Sequence, residues 1–318
     1  MNKKFKFILE NLIKLVLLLI AVSFITVLLV DLSPVDVLNA NYGQSAVGVM
    51  SNEQINKLKD YWGTDKTVTK RYISWLSDFI KGDMGVSLLY RQPVFSVIAD
   101  KLKNSIVVLS VSWLFSGFIG YFIGSIAGIN EGKIADKIIK MYCVIISSTP
   151  AFYVAIILLM IFGVWLNLLP IGFFKPIGVV DKISFLDILY HAILPAFTLS
   201  ITGAANVALH TREKVVDIMN SDYVLFAKAR GESKWQIYKN HCIRNSFLPA
   251  VTIQFSTVGE IIGGSIVVEQ IFSYPGLGNA AVKAGLGGDV PLLVGITIVS
   301  AVFVFFGNLT ANIITKRS

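Results

Sequence analysis

Six stretches dominated by apolar side chains constrain this chain more than anything else in it: residues 8–30, 105–129, 138–169, 191–209, 247–268 and 291–314. A helix needs about 20 such residues to cross a bilayer, so each stretch can supply a crossing. The third is too long for a straight one. Pro150 should kink it or begin a separate helix there, because proline removes an internal hydrogen bond. At 54% hydrophobic, with a mean hydropathy of +0.69, the chain is far from an ordinary soluble domain. These features predict an all-α integral membrane protein.

Charge orients the spans. Lys and Arg are biased to the cytoplasmic side of short loops. The N-terminus, 130–140, 210–246 and the C-terminus carry three, three, seven and two of them, against two in 170–190 and one in 271–290. Six spans with both termini cytoplasmic satisfy this asymmetry. The inside residues include Lys3, Lys4, Lys6, Lys133, Lys137, Lys140, Lys316 and Arg317; Lys175 and Lys182 fall in a short external loop with Gly172 and Gly178. The first apolar run is longer than a signal-peptide core of roughly 7–15 residues, and no A-x-A-like site follows it. It is expected to stay as an anchor. The net charge of +8 then reflects loop charge, not nucleic-acid binding. Two cysteines, Cys143 and Cys242, give neither a disulfide nor a metal framework. The expected organisation is 1–30 as N-terminal end and first span, 31–104 as an extracytoplasmic segment, and 105–318 as the membrane core.

Within that core, 210–249 is a long polar insert. Ser221 or Asp222 can cap a first short helix. Tyr223, Phe226 and Ala227 then fall at i, i+3 and i+4 and make one narrow apolar face. Gly231 should end this helix in left-handed geometry. Ser233 and Gln236 form a capping box for a second helix, and Pro249 suits the first turn of the next span. A short amphipathic helix held away from the membrane on a second helix is a docking device.

The 31–104 segment also has organisation. Its nine Lys or Arg are balanced by eight Asp or Glu. Ser51 and Gln54 make a capping box. Tyr72, Trp75, Leu76, Phe79 and Ile80 are placed on one helical face, and Gly82 can end that helix. This face can contact a partner, or pack on the outer face of the membrane domain. In the fourth span Ser200, Thr202, Gly203, Ala204 and Ala205 favour close helix packing, with lining of a pathway as the alternative. Glu260 stands in the fifth span among Gly259, Gly263 and Gly264. An intramembrane carboxylate is by default a functional candidate. It can face the pathway and favour a cationic group; alternatively it is hydrogen-bonded to a partner chain or sits protonated in a polar pocket.

The order FAKARG, nine residues, then HCIRNSFLPA resembles the coupling (EAA) loop of ABC importer permeases, in the variant of the dipeptide, oligopeptide and nickel group. Ala227, Gly231, His241, Arg244, Asn245, Leu248 and Pro249 stand where that motif has them, while Leu225 and Phe226 take the first two places of its Glu-Ala-Ala opening. RYISWLSDFIKGDMGVS is similar to the group's external segment. VVEQIFSYPGLGNAAV matches it at the outer end of the fifth span through Glu269, Phe272, Pro275, Gly276 and Gly278, and Pro275-Gly276 is also a local turn signal. The group closes with an Asp and an Asp-Pro-Arg tail; here Asn312 and TKRS stand instead.

The resemblance implies the type I importer permease fold, with six transmembrane helices and a cytoplasmic coupling helix at 222–230. It implies that Asp222, Tyr223, Phe226, Ala227, Ala229, Gly231, His241, Arg244, Asn245 and Pro249 serve ATPase docking. It further implies a second homologous permease, two cytoplasmic ABC ATPases that carry the ATP and magnesium, an extracytoplasmic binding protein, and a bacterial or archaeal cell membrane around the chain. Di- or oligopeptides are the expected substrate and nickel or another metal chelate the runner-up. The residues themselves offer no G-x-x-x-x-G-K-[ST] loop, no H-E-x-x-H among His191, His210 and His241, and no nucleophile elbow. No catalytic residue, cofactor or metal site is therefore expected in this chain. A stand-alone secondary transporter or channel is the alternative of a different class; a second copy of the 220–249 pattern, as paired halves would give, is not found.

Overall fold

The computed structural model describes residues 3–62, 67–172 and 184–316. Lys175, Gly178, Lys182 and Arg317 lie outside them. Among the described residues there is no strand, only an isolated bridge between Val86 and Pro93. Helix α1 (Lys3–Asp31) is followed by α2 (Val37–Tyr42), α3 (Gln44–Gly48), α4 (Asn52–Trp62) and α5 (Val68–Ile80). Next come α6 (Val94–Ile129), α7 (Ile134–Ser147), α8 (Ala151–Leu158), which continues as a π-helical stretch over Leu159–Trp165, and α9 (Phe185–Met219). The polar insert holds α10 (Asp222–Ala229) and α11 (Lys234–Ile237), and a π-helical turn over Tyr238–Cys242 leads into α12 (Ile243–Ser256). Helices α13 (Val258–Ile271), α14 (Leu277–Leu286) and α15 (Val290–Thr315) complete the chain.

Helices α1, α6, α9 and α15 are each long and apolar enough to cross a membrane. Two further crossings are broken. Helix α7 meets Ala151–Trp165 at 104°, and Lys234–Ser256 meets α13 at 46°; counted as one span each, they bring the total to six. Pro150 sits at the N-cap of α8, so it begins a separate helix. The fifth span departs from the single run expected over 247–268. Its ladder breaks at Thr257, whose hydroxyl donates to the Gln254 carbonyl while Glu260 N–H bonds back only three residues to Thr257. A hydroxyl that takes a main-chain acceptor competes with the helix. Helix α6 starts at Val94, earlier than the apolar run at 105, with Pro93 just before it.

The chain forms two compact units, 1–103 with 276–302, and 104–275 with 303–318. In the first, Val94, Val97 and Ile98 pack with Leu277, Ala284 and Leu292. Helix α5 lies on α1, its Tyr72 hydroxyl 3.2 Å from the Ile20 carbonyl and Arg71 paired with Asp31 at 2.7 Å. Tyr72, Trp75, Leu76 and Phe79 face this contact, but Ile80 is exposed. At about 100° per residue Phe79 falls about 20° from Tyr72 and Ile80 about 80°. Ser51 and Gln54 make their reciprocal bonds, and Gly82 follows α5 at φ +90°.

Helix α9 is the pillar of the second unit: 61% of its apolar window is buried, against 17% for α1. The small residues of the fourth span permit this. A Cβ on Gly120 of α6 would stand 2.7 Å from the Ala204 carbonyl, and one on Gly128 2.7 Å from the Val215 side chain; Gly124 lies equally hard against Ala208. Backbones that approach so closely leave room for glycine alone.

Candidate functional site

The polar insert folds as an anchored hairpin. Helix α9 ends at Met219, and Ser221 occupies the N-cap position of α10 without capping it. Its hydroxyl donates instead to the Ile218 carbonyl at 2.6 Å, closing the end of α9. Asp222, in the first turn, still favours the positive end of α10. The single face expected from Tyr223, Phe226 and Ala227 is divided. Val224 and Ala227 are buried against Val215, Ile218, Ile237 and Cys242. Tyr223, Leu225 and Phe226 point outward, at 47%, 60% and 66% exposure. The anchor under α10 chose Val224, which spacing alone left out.

Gly231 ends α10 at φ +85°. Ser233 and Gln236 form the capping box, with Ser233 N–H to Gln236 Oε1 at 2.8 Å and Gln236 N–H to Ser233 Oγ at 3.4 Å. The expected break before the fifth span does not occur. The helix runs on from Lys234 through the π-helical turn, so Pro249 lies inside α12 and not in a first turn.

Around the turn, His241 Nε2 lies 3.3 Å from Glu232 Oε2, and Arg230 reaches Glu232 Oε1 at 3.1 Å. The ring of Tyr223 lies 6.1 Å from that of His241. Asn245 donates to the His241 carbonyl at 2.9 Å, while Ala229 and Arg244 are exposed. Lys228 donates to the Met219 carbonyl at 3.1 Å, tying the hairpin to the negative end of α9. Glu232 was not among the residues the sequence singled out, yet it joins both arms of the turn.

A second missed feature fixes the base of the hairpin. Asp136 of α7 is buried and receives two bonds from Arg212 of α9, one of them 2.8 Å, plus the Gly132 N–H at 2.9 Å. Asn220 donates to Glu131 at 3.2 Å. The 130–136 turn is thereby stitched to the end of α9 on both sides of the last helical turns. The available signal was a pair of acidic residues, Glu131 and Asp136, beside the lysines of the loop NEGKIADK.

Glu260 lies elsewhere, on the first turn of α13, exposed, with Asn206 donating to its Oε2 at 2.9 Å. Cys143 and Cys242 are buried and free. Among the described residues no group of three His, Cys, Asp or Glu is arranged to hold a metal.

Long apolar helices and bent apolar pairs, with an anchored hairpin that turns aromatic side chains outward, define a polytopic membrane component. The chain belongs to the binding-protein-dependent transport system inner membrane components: residues 120–318 match the family so described, and residues 4–109 its N-terminal counterpart. It has the type I ABC importer permease fold and is a transport component, not an enzyme. Membership places it in the cytoplasmic membrane, in an importer with ATPase and substrate-binding partners, and sets aside a transporter working alone. It is 33% identical to the oligopeptide transport system permease protein AppB of Bacillus subtilis (strain 168), over 77% of each chain. It is 29% identical to the glutathione transport system permease protein GsiC of Escherichia coli (strain K12), over 90% of this chain and 89% of that one. With the dipeptide transport system permease protein DppB of Lactococcus lactis subsp. cremoris (strain MG1363) it shares 28% over 84% of each.

Proposed function

We propose that this chain is the permease subunit of a peptide importer, forming half of the translocation pathway beside a second, homologous permease. Relatives named for oligopeptides, dipeptides and glutathione support peptides over the nickel-chelate alternative. Both termini and the α10 hairpin face the cytoplasm, where two ATPases dock; a binding protein delivers substrate on the other side. One observation carries the docking assignment. Helix α10 is clamped through Val224 and Ala227, yet turns Tyr223, Leu225 and Phe226 outward. Aromatic side chains of this kind anchor protein interfaces. ATPase closure then moves the hairpin, and α9 and α7, which its base joins, carry the motion into the membrane. Phe226→Asp is expected to insert normally but to lose co-purification of the ATPases. Full co-purification with substrate-stimulated hydrolysis would overturn the docking role.

A further inference from the structure

A cavity of about 150 Å³ opens where the α7–α8 break, α9 and α13 meet. Four hydroxyl-bearing residues line it, with Asn206 and Glu260. The direction of each hydrogen bond decides what this cavity can hold. Ser147 Oγ donates to the Val144 carbonyl, Thr149 Oγ1 to Ile145 at 2.7 Å, Thr202 Oγ1 to Thr198 and Leu199, and Thr257 Oγ1 to Gln254. Each hydroxyl proton is thus committed to the main chain. Asn206 commits one of its two amide hydrogens to Glu260 Oε2. What the side chains offer the cavity is chiefly lone pairs: four hydroxyl oxygens, the Asn206 carbonyl and the second carboxylate oxygen of Glu260, against one remaining amide hydrogen of Asn206. Among the described residues no Lys, Arg or His forms an ion pair with Glu260. The carbonyl end of α7 and the amide end of α8 meet at the same break and offset one another. The carboxylate therefore sets the sign of the site.

We propose that this acceptor-lined cavity is a recognition site for a primary ammonium group, the α-amine of a peptide in transit. The proposal rests on the peptide-importer reading and deepens it. An –NH₃⁺ group carries three donors and no acceptor, the complement of a wall whose side chains are predominantly acceptors. A charged donor on a carboxylate is the strong kind of hydrogen bond. One wall is the Pro150 break, so the ammonium would bridge two segments of the broken third span and the pillar helix.

The test uses the assembled transporter in proteoliposomes, with pairs of peptides that its binding protein accepts both with a free and with an acetylated N-terminus. Wild type is expected to favour the free amine. Glu260→Gln, which keeps shape and the Asn206 bond, should reduce that preference about tenfold; Thr202→Val, which removes one acceptor and no charge, should reduce it about threefold. An unchanged preference in Glu260→Gln, or equal loss of uptake for both peptides, overturns the site. A second arm needs no transport. In the purified full chain, where Cys143 and Cys242 are buried, maleimide labelling of Ser147→Cys is expected to slow in n-propylammonium but not in n-propanol. The slowing should vanish on adding Glu260→Gln. Equal labelling in both solutes overturns the ammonium site. Slowed labelling in a transporter that takes up no peptide would leave the site standing and remove the peptide reading.

Discussion

Gly231 gives the sharpest test of the hairpin, because its environment separates backbone from side-chain effects. Its φ is +85°, and a Cβ built there meets nothing within 4 Å. Substitution therefore acts through the main chain alone. A left-handed conformation costs an ordinary L residue roughly 1–2 kcal/mol, less for Asn and more for a β-branched side chain. The anchor that opposes this strain is small. Its main apolar member on α10 is the fully buried Val224, and burying one Val is worth roughly 1.5–3 kcal/mol. Strain and anchor are of the same order, so Gly231→Ala should lower the equilibrium constant for seating α10 about 5- to 30-fold. Gly231→Asn should do less and Gly231→Val more. The assay is ATPase co-purification together with substrate-stimulated hydrolysis across the three variants, with membrane insertion as control. Equal defects in all three would point to lost space at the ATPase surface, and three wild-type results would remove the turn from the coupling mechanism. Either outcome refutes the strain reasoning.

Asp136→Ala leaves Arg212 nearly buried without its partner and should destabilise the chain by about 3 kcal/mol. Replacing the pair together, Asp136→Leu with Arg212→Met, should restore most of the thermal stability in detergent while leaving transport per ATP impaired. Gly124→Leu should separate α6 from α9 and give little folded protein by size-exclusion chromatography, whereas Gly132→Asn, at an open position whose positive φ Asn tolerates, should leave folding intact. A cysteine at the exposed Glu53, or at Asp65, which lies outside the described residues, is expected to react with an impermeant thiol reagent added to intact cells, and one at Lys234 is not; the reverse pattern would invert the proposed topology.

Features legible in the sequence were those fixed within one turn of chain. Gly231, the Ser51–Gln54 and Ser233–Gln236 boxes, and the break at Pro150 each depend on neighbours a few residues away. Where several groups compete for one residue, local rules gave the wrong partner. Ser221 has the right identity for a cap but finds the Ile218 carbonyl first. Tyr223, Phe226 and Ala227 have the spacing for one face, but Val215 and Ile218 of α9 take Ala227 together with Val224 and leave Tyr223 and Phe226 outside. The π-helical turn over Tyr238–Cys242 lets α11 continue into α12, so Pro249 loses the boundary its residue type suggests. The Asp136–Arg212 pair spans 76 residues and carries no periodic signal at all.

The glycine seam between α6 and α9 has a mechanical consequence. It grips α9 around Ala208, which divides the helix unequally. At about 1.5 Å per residue, roughly 16 Å of helix lies between that grip and Met219, and roughly 35 Å between it and Phe185. If the grip holds while the docked end is pushed, α9 works as a lever with its fulcrum near the hairpin. A stroke of about 2 Å at Met219 would emerge at the far end roughly doubled and reversed in direction. A small push at the base would thereby be geared into a larger sideways sweep at the Phe185 end.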